Sequence, residues 1–180
     1  LTTTSGAGAG TLTLNANVDA AGDDIFLVST DGINQTGGTL SAANLTVTAV
    51  DGVTLTQTGN AVALLEATLS GTGDFAYTDT DGLTVGGIGA TTGVTTNAGN
   101  ILITAGAIAV NEAVTAGTAG DITLTTTSTM GAGTLTLNAN VAAAGDDIFL
   151  VSADGINQTG GTLSAANLTV TAVDGVTLTQ

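Results

Sequence analysis

The sequence contains no Lys, Arg, His, Cys, Pro or Trp, and each absence removes a class of function. Without His or Cys there is no histidine acid–base catalysis, no thiol nucleophile and no zinc site of the usual kind. Without Lys or Arg nothing neutralises phosphate, which excludes nucleic-acid binding. Anionic membrane surfaces repel the chain for the same electrostatic reason.

The residues that are present suit a thin, regular core. The 180-residue chain has a formal net charge of −15, and 43% of its residues are hydrophobic but only 2% are aromatic. This apolar content is enough to build a core, so the acidity does not imply disorder. No run approaches the ~18 apolar residues of a transmembrane helix. No signal peptide is visible, and we expect both ends to be cuts through a longer chain.

The strongest feature of the sequence is an internal repeat. Residues 1–57 recur as residues 124–180, and only four of the 57 positions differ. The chain is therefore one full unit, 1–123, and part of a second, 124–180. Such identity indicates recent tandem duplication, so we expect one continuous structure with further copies in the parent protein.

A shorter period of about 20 residues lies inside the long one. Apolar–x–apolar triplets start at Leu45, Leu83, Ile101, Ile122, Ile148 and Leu168, and a weaker start at Leu64 makes the spacings 18 to 26 residues. Thr on one side and Leu, Val or Ile on the other is the alternation of a half-buried strand. Gly, Asn and Asp between the triplets favour turns. The strand near Leu64 is expected to run with Leu65 inside, since the opposite phase would bury Glu66.

The predicted fold is a right-handed parallel β-helix, with about 20 residues per coil and about six coils per 123-residue unit. A single coil of this length cannot bury its own apolar face, whereas stacked coils pair every strand above and below at about 4.8 Å. The alternative is a β-sandwich of hairpins. Near-identical tandem units with variable coil lengths favour stacking.

Three runs resemble the repeats of filamentous-haemagglutinin-like giant adhesins of Gram-negative bacteria. The runs are GDDIFLVS-x-DGINQTGGTLSAANLTVTAVDGVTLTQTGNAV, GDFAYTDTDGLTVGGIGATTGVTTNAGNILIT and AGTAGDITLTTT. The resemblance covers nearly the whole chain. It implies a right-handed parallel β-helix, export across the outer membrane and a place on the cell surface or outside the cell. The amino-terminal secretion domain of that family is not visible, and no adhesive residue can be carried over.

Three acidic motifs are weak Ca²⁺ candidates: Asp23 with Asp24, Asp79 with Asp81, and Asp146 with Asp147. Neighbouring strand residues point to opposite faces, so an adjacent pair does not converge on one ion or substrate. The Asp79 motif lacks the later Asp and the bidentate Glu of a calcium loop. We therefore interpret all three as solvated corners, and no cofactor is predicted beyond weak binding of Ca²⁺ to an acidic rod.

Two further patterns concern the outer surface. Thr-x-Thr motifs could bind ice if they stacked on one face, but the comparable positions Thr46, Leu65, Thr84, Leu102, Thr123 and Phe149 break that array. Asparagines precede several strands and are interpreted as turn formers that stack from coil to coil, at Asn44, Asn60, Asn100 and Asn167.

An apolar outer stripe is also predicted, and it would mediate lateral or end-on self-association. Placing Ile25 and Leu27 inside turns their neighbours outward, and a strict coil spacing places Leu65 outward as well. The stripe would consist of Phe26, Val28, Leu65, Leu102, Phe149 and Val151. Scattered outward apolar residues are also normal on soluble proteins, and that interpretation stays open.

These observations favour a mechanical function: a rod segment of a secreted or cell-surface adhesin or filament, acting as a spacer or self-associating fibre. The alternative is a surface module that binds carbohydrate or Ca²⁺. A polysaccharide-cleaving β-helix enzyme is disfavoured because the chain has no basic residue and a single tyrosine, Tyr77. The expected partners are other copies and a host or neighbouring cell surface, with no nucleic acid and no insertion into a membrane.

Overall fold

The computed structural model describes residues 1–3, 10–87, 93–129 and 131–179, and in this part of the chain it contains strands but no helix. The strands are β1 (Thr2–Thr3), β2 (Leu12–Leu14), β3 (Val18–Ser29), β4 (Ile33–Gln35), β5 (Leu40–Ala49), β6 (Val53–Leu55), β7 (Ala61–Leu69), β8 (Phe75–Thr78), β9 (Gly82–Val85), β10 (Val94–Thr96), β11 (Ile101–Ala105), β12 (Ala107–Val110), β13 (Val114–Ala116), β14 (Ile122–Thr126), β15 (Leu135–Leu137), β16 (Val141–Ala143), β17 (Asp147–Ser152), β18 (Ile156–Gln158), β19 (Leu163–Ser164), β20 (Asn167–Ala172) and β21 (Val176–Thr177).

The strands form a β-solenoid whose coils of about 21 residues make about eight turns. One sheet has eight strands in the order β2-β4-β6-β8-β11-β14-β17-β20, and the other strands belong to a thirteen-stranded sheet that covers the remaining surface. The strand pairs of both sheets are parallel. The predicted parallel β-helical fold is therefore confirmed, and the β-sandwich is wrong.

The core consists of apolar rows that run along the solenoid axis. In the eight-stranded sheet, one inward row stacks a single residue per coil: Leu12, Ile33, Val53, Phe75, Ile101, Ile122, Ile148 and Leu168. The next inward row includes Leu55, Tyr77, Ile103, Leu124 and Leu150, all buried. Burying a side chain of this size contributes about 1.5–3 kcal/mol, so the rows supply most of the stabilisation.

The long repeat does not fit a whole number of turns. Five steps along the eight-stranded sheet lead from Leu12 to Ile122. The copy of Leu12, however, is Leu135, which lies in the next strand along the chain and in the other sheet. The 123-residue unit thus makes five turns and advances by one further face, somewhat less than the six coils predicted.

Copies of the same sequence therefore form the same local structure on different sheets. In the first unit, Thr11 Oγ1 donates to Asp31 Oδ2 at 2.8 Å, and in the second, Thr134 Oγ1 donates to Asp154 Oδ2 at 3.0 Å. Gly38 has φ of 70°, and its copy Gly161 has φ of 67°. At both glycines a Cβ would collide with the backbone of the preceding coil, so no larger residue fits there.

We predict that Leu124→Asp destabilises the solenoid by about 3–5 kcal/mol, because the chain has no cationic side chain to compensate a buried carboxylate. Leu124 is completely buried. The matched control is Thr123→Asp, whose side chain points outward from the adjacent position and should cost less than about 1 kcal/mol. Denaturant unfolding followed by circular dichroism measures both, and equal losses would mean that Leu124 does not face the core.

Candidate functional site

Of the adjacent carboxylates predicted as weak Ca²⁺ candidates, Asp23 and Asp24 lie within β3, next to its shift in register, and Asp146 and Asp147 lie where β17 begins. Asp24 Oδ1 accepts from Asn44 Nδ2 at 2.6 Å, and its copy Asp147 Oδ1 accepts from Asn167 Nδ2 at 2.7 Å. Asp146 Oδ2 accepts from the backbone N–H of Gly120 at 2.8 Å. Asp23 is exposed. These carboxylates hold neighbouring coils together and do not converge on a common point.

The third candidate, Asp79, is buried and its oxygens are already occupied. Its Oδ2 accepts from Tyr77 Oη at 2.7 Å and from the Val62 N–H at 2.9 Å, and its Oδ1 accepts from the Asp81 N–H at 2.9 Å. The side chain therefore closes a turn inside the solenoid instead of facing solvent. Across the described ranges, no three carboxylates come together as a metal site would require.

Side chains at one corner form a ladder of hydrogen bonds along the axis. The Asn100 N–H donates to Asp74 Oδ1 at 2.7 Å, and the Asp121 N–H donates to Asn100 Oδ1 at 2.8 Å. The Asp147 N–H continues the row by donating to Asp121 Oδ1 at 3.1 Å. Each member directly precedes the first inward residue of a strand. The predicted stacking of asparagines from coil to coil is confirmed for Asn100, while the aspartates of the row were not predicted.

Asn60 has a different position from the other asparagines, because it lies inside the solenoid and is completely buried. Its Oδ1 accepts from Gln35 Nε2 and from the Leu40 N–H, both at 2.9 Å. Its Nδ2 donates to Gln35 Oε1 at 3.1 Å and to two backbone carbonyls. Its interpretation as a turn former is confirmed, since its N–H donates to the Gln57 carbonyl at 3.2 Å, and its buried side chain pairs with an amide of the preceding coil.

The second copy of this glutamine repeats the contact that Gln35 makes within its own turn. Gln158 is also buried, and its Nε2 donates to the Gly161 carbonyl at 3.0 Å, as Gln35 Nε2 does to Gly38 at 3.1 Å. Gln158 Oε1, however, has no hydrogen-bond partner within the described residues.

The predicted apolar stripe is divided between the two sheets. Phe26 and Val28 lie in β3 of the thirteen-stranded sheet, whereas Leu102, Phe149 and Val151 lie in β11 and β17 of the eight-stranded sheet. Phe26 and Leu102 are 51% and 43% exposed. Val28, Phe149 and Val151 are half-buried.

Leu65 faces the interior and is completely buried, so its place in the stripe is wrong and its inward phase in β7 is right. Because both residues are leucine, the sequence alone does not decide whether Leu64 or Leu65 faces the interior. The apolar row through Leu45, Leu65 and Val85 decides between them, since each of these residues pairs with the next. Glu66 is nevertheless also buried, which the sequence did not predict.

Threonines stack over part of the thirteen-stranded sheet, where Thr48, Thr68, Thr95 and Thr115 occupy successive coils. The neighbouring outward position does not continue the pattern, because Thr46 pairs with Glu66. A two-row Thr-x-Thr array is therefore interrupted on this sheet, in agreement with the expectation that the array is broken.

Comparisons with protein-family models, with curated proteins and with solved structures found no match. The resemblance to filamentous-haemagglutinin-like repeats consequently stays a prediction. The described part of the chain has no helix long and apolar enough to cross a membrane.

We predict that Asn60→Leu lowers the free energy of unfolding by about 2–4 kcal/mol, because it leaves Gln35 and several backbone groups buried without partners. The control is Asn44→Leu, at a half-buried position where one exposed hydrogen bond is lost. That change should cost less than about 1 kcal/mol. Chemical denaturation compares the two, and similar losses would contradict a special role for the internal amide pair.

A second prediction concerns alkaline pH. Burial, reinforced by the charge of Asp79 and the hydrogen bond to it, raises the pKa of Tyr77 far above its usual value of 10.0. The folded state then keeps Tyr77 neutral while the unfolded chain ionises it. The contribution of Tyr77 to the free energy of unfolding should therefore be constant below pH 10 and fall as the pH rises above it.

Tyr77 is the only tyrosine, so tyrosinate absorbance in an alkaline titration reports this residue alone. Ionisation should appear only as the chain unfolds, and Tyr77→Phe should remove the decline in stability that begins above pH 10. Tyrosinate formation near pH 10 in the folded protein would contradict the buried hydrogen bond to Asp79.

Proposed function

We propose that this chain is a structural rod segment of a secreted or cell-surface protein, and that its function is to span distance. The observation that carries the proposal is that the first 57 residues of the unit recur one face further around the solenoid, where the Thr11–Asp31 and Asn44–Asp24 hydrogen bonds form again in the copy. A unit that forms the same structure on whichever coil precedes it can be duplicated without sequence changes in the adjacent units. Each duplication of the unit then makes the rod longer.

The charge and the interior of the chain support the same function. Each coil contacts the coils above and below it, so stability grows with the number of coils and not with a single central core. The chain has fifteen acidic residues and no Lys, Arg or His, and this net negative charge keeps such rods soluble and apart at low ionic strength. Tyr77 and the buried carboxylate of Asp79 are hydrogen-bonded to each other in the interior of the solenoid, away from the outer surface.

The proposed setting is the surface of a Gram-negative bacterium or the space outside it, in a protein of the filamentous-haemagglutinin-like kind. Its support is the resemblance of the repeat runs. In this setting the segment would hold other domains away from the cell, without chemistry or a cofactor of its own.

Rod geometry predicts how length changes with sequence. Inserting one more copy of residues 1–123 ahead of Leu1 adds five turns and one face, which is about 26 Å at the spacing of parallel strands. Small-angle X-ray scattering should show this increase in the maximum dimension with an unchanged cross-section. The control inserts a scrambled sequence of the same composition. An insertion that widens the particle in all directions would contradict a rod.

A further inference from the structure

The outer surface of the eight-stranded sheet carries a single acidic side chain within its strands, although the chain has fifteen acidic residues. Its outward side chains are Thr13, Asn34, Thr54, Ala76, Thr78, Leu102, Thr104, Thr123, Thr125, Phe149, Val151, Thr169 and Thr171. The one acidic residue within its strands is Asp147, at the first position of β17. The thirteen-stranded sheet, by contrast, has Asp19, Asp23 and Asp24 within β3 and Glu66 within β7. We call the outer surface of the eight-stranded sheet the neutral face, because Asp147 at its edge is the one acidic residue in its strands.

The neutral face is regular and apolar at its centre. From β8 to β20 the strands pair residue by residue without a shift in register, whereas β3 and β5 shift between Ala20 and Asp24. Ala76, Leu102, Thr123 and Phe149 follow one another in a single outward row. Threonine methyl groups flank this row, so a flat partner could contact it without burying a charge.

The rim of the neutral face is acidic. Asp74, Asp121 and Asp147 lie in one row with Asn100 along the corner that borders the strands, and a shallow groove there is lined by Asp74, Asp121 and Leu102. Two such rims would repel each other in dilute salt. Counterions screen charges of this kind over about 10 Å at 0.1 M ionic strength and over shorter distances in more salt.

We propose that the neutral face binds the neutral face of a second copy of this chain. The inference deepens the proposed rod function and rests on it. Eight strands at about 4.8 Å make a surface about 34 Å tall, and strands of three to six residues make it roughly 15 Å wide. Two copies would bury about 1,000 Å² in total, which is near the lower limit for a specific interface. One 180-residue segment therefore associates weakly.

The rotation of the repeat limits how rods can associate. Phe149 lies on the neutral face, while its copy Phe26 lies on the thirteen-stranded sheet. Phe26 and its copy Phe149 therefore point to different sides of the rod. Association through the neutral face excludes Phe26 and Val28, and it uses Leu102, Phe149 and Val151.

The test compares Leu102→Glu with Phe26→Glu in the full 180-residue chain. Both residues are strongly exposed, at 43% and 51%, and both variants add the same charge, but only Leu102 lies on the neutral face. Sedimentation velocity and light scattering are followed across a NaCl series, with circular dichroism to verify folding. The parent should self-associate increasingly with ionic strength. Leu102→Glu should lower the association constant more than about tenfold, and Phe26→Glu should leave it within about twofold.

Several results would overturn the proposal. A parent chain that stays monomeric at all salt concentrations would do so, as would equal effects of the two variants. Thermal hysteresis of monomeric parent in freezing solutions, lost in Leu102→Glu, would assign the neutral face to ice instead. If scattering shows monodisperse elongated particles, the self-association fails while the rod function stands. Compact particles would remove the rod function itself.

Discussion

Parallel backbone pairing between successive coils is the constraint on which the rest of the structure depends. Each coil must place its strands over those of the coil before it, at the fixed spacing of hydrogen-bonded strands. Side chains then stack on their counterparts, so inward positions form continuous apolar rows such as Ile101, Ile122 and Ile148. The chain can vary its turns, from 20 to 26 residues between equivalent rungs, because the pairing constrains strands and not the loops between them.

This constraint explains how a repeat that is not a whole number of turns can persist. The sheets offer the same strand spacing and the same interior, so a unit that ends one face further around finds an equivalent environment. The hydrogen bond of Asn44 to Asp24 recurs as that of Asn167 to Asp147, although one lies in the thirteen-stranded sheet and the other joins strands of the eight-stranded sheet. Surface features of the unit consequently point in different directions around the axis in successive copies. They therefore do not form a single continuous stripe along the rod.

The sequence predicts the parts of this fold that depend on local patterns. Alternation of Thr with Leu, Val or Ile identified the strands around Ile122 and Ile148 and their inward residues. It could not set the phase of the repeat, because coil lengths depend on turns whose geometry is not encoded by alternation. It also missed the pairing of Gln35 with Asn60, whose partners are 25 residues apart and meet only when coils stack. Asp79 resembled a calcium ligand for the same reason, since its hydrogen bonds with Tyr77 and Val62 arise inside the coil.

The most direct test of this account is a pair of introduced cysteines at Thr123 and Phe149. These residues pair across the junction where the second unit stacks on the first, and the chain has no other cysteine. Neighbouring Cα atoms at strand spacing lie within the range that a disulfide spans. Mild oxidation followed by mass spectrometry should therefore show an intramolecular bond in most molecules. Cysteines that stay reduced, or that join only different molecules, would contradict both the stacking and the rotation of the repeat.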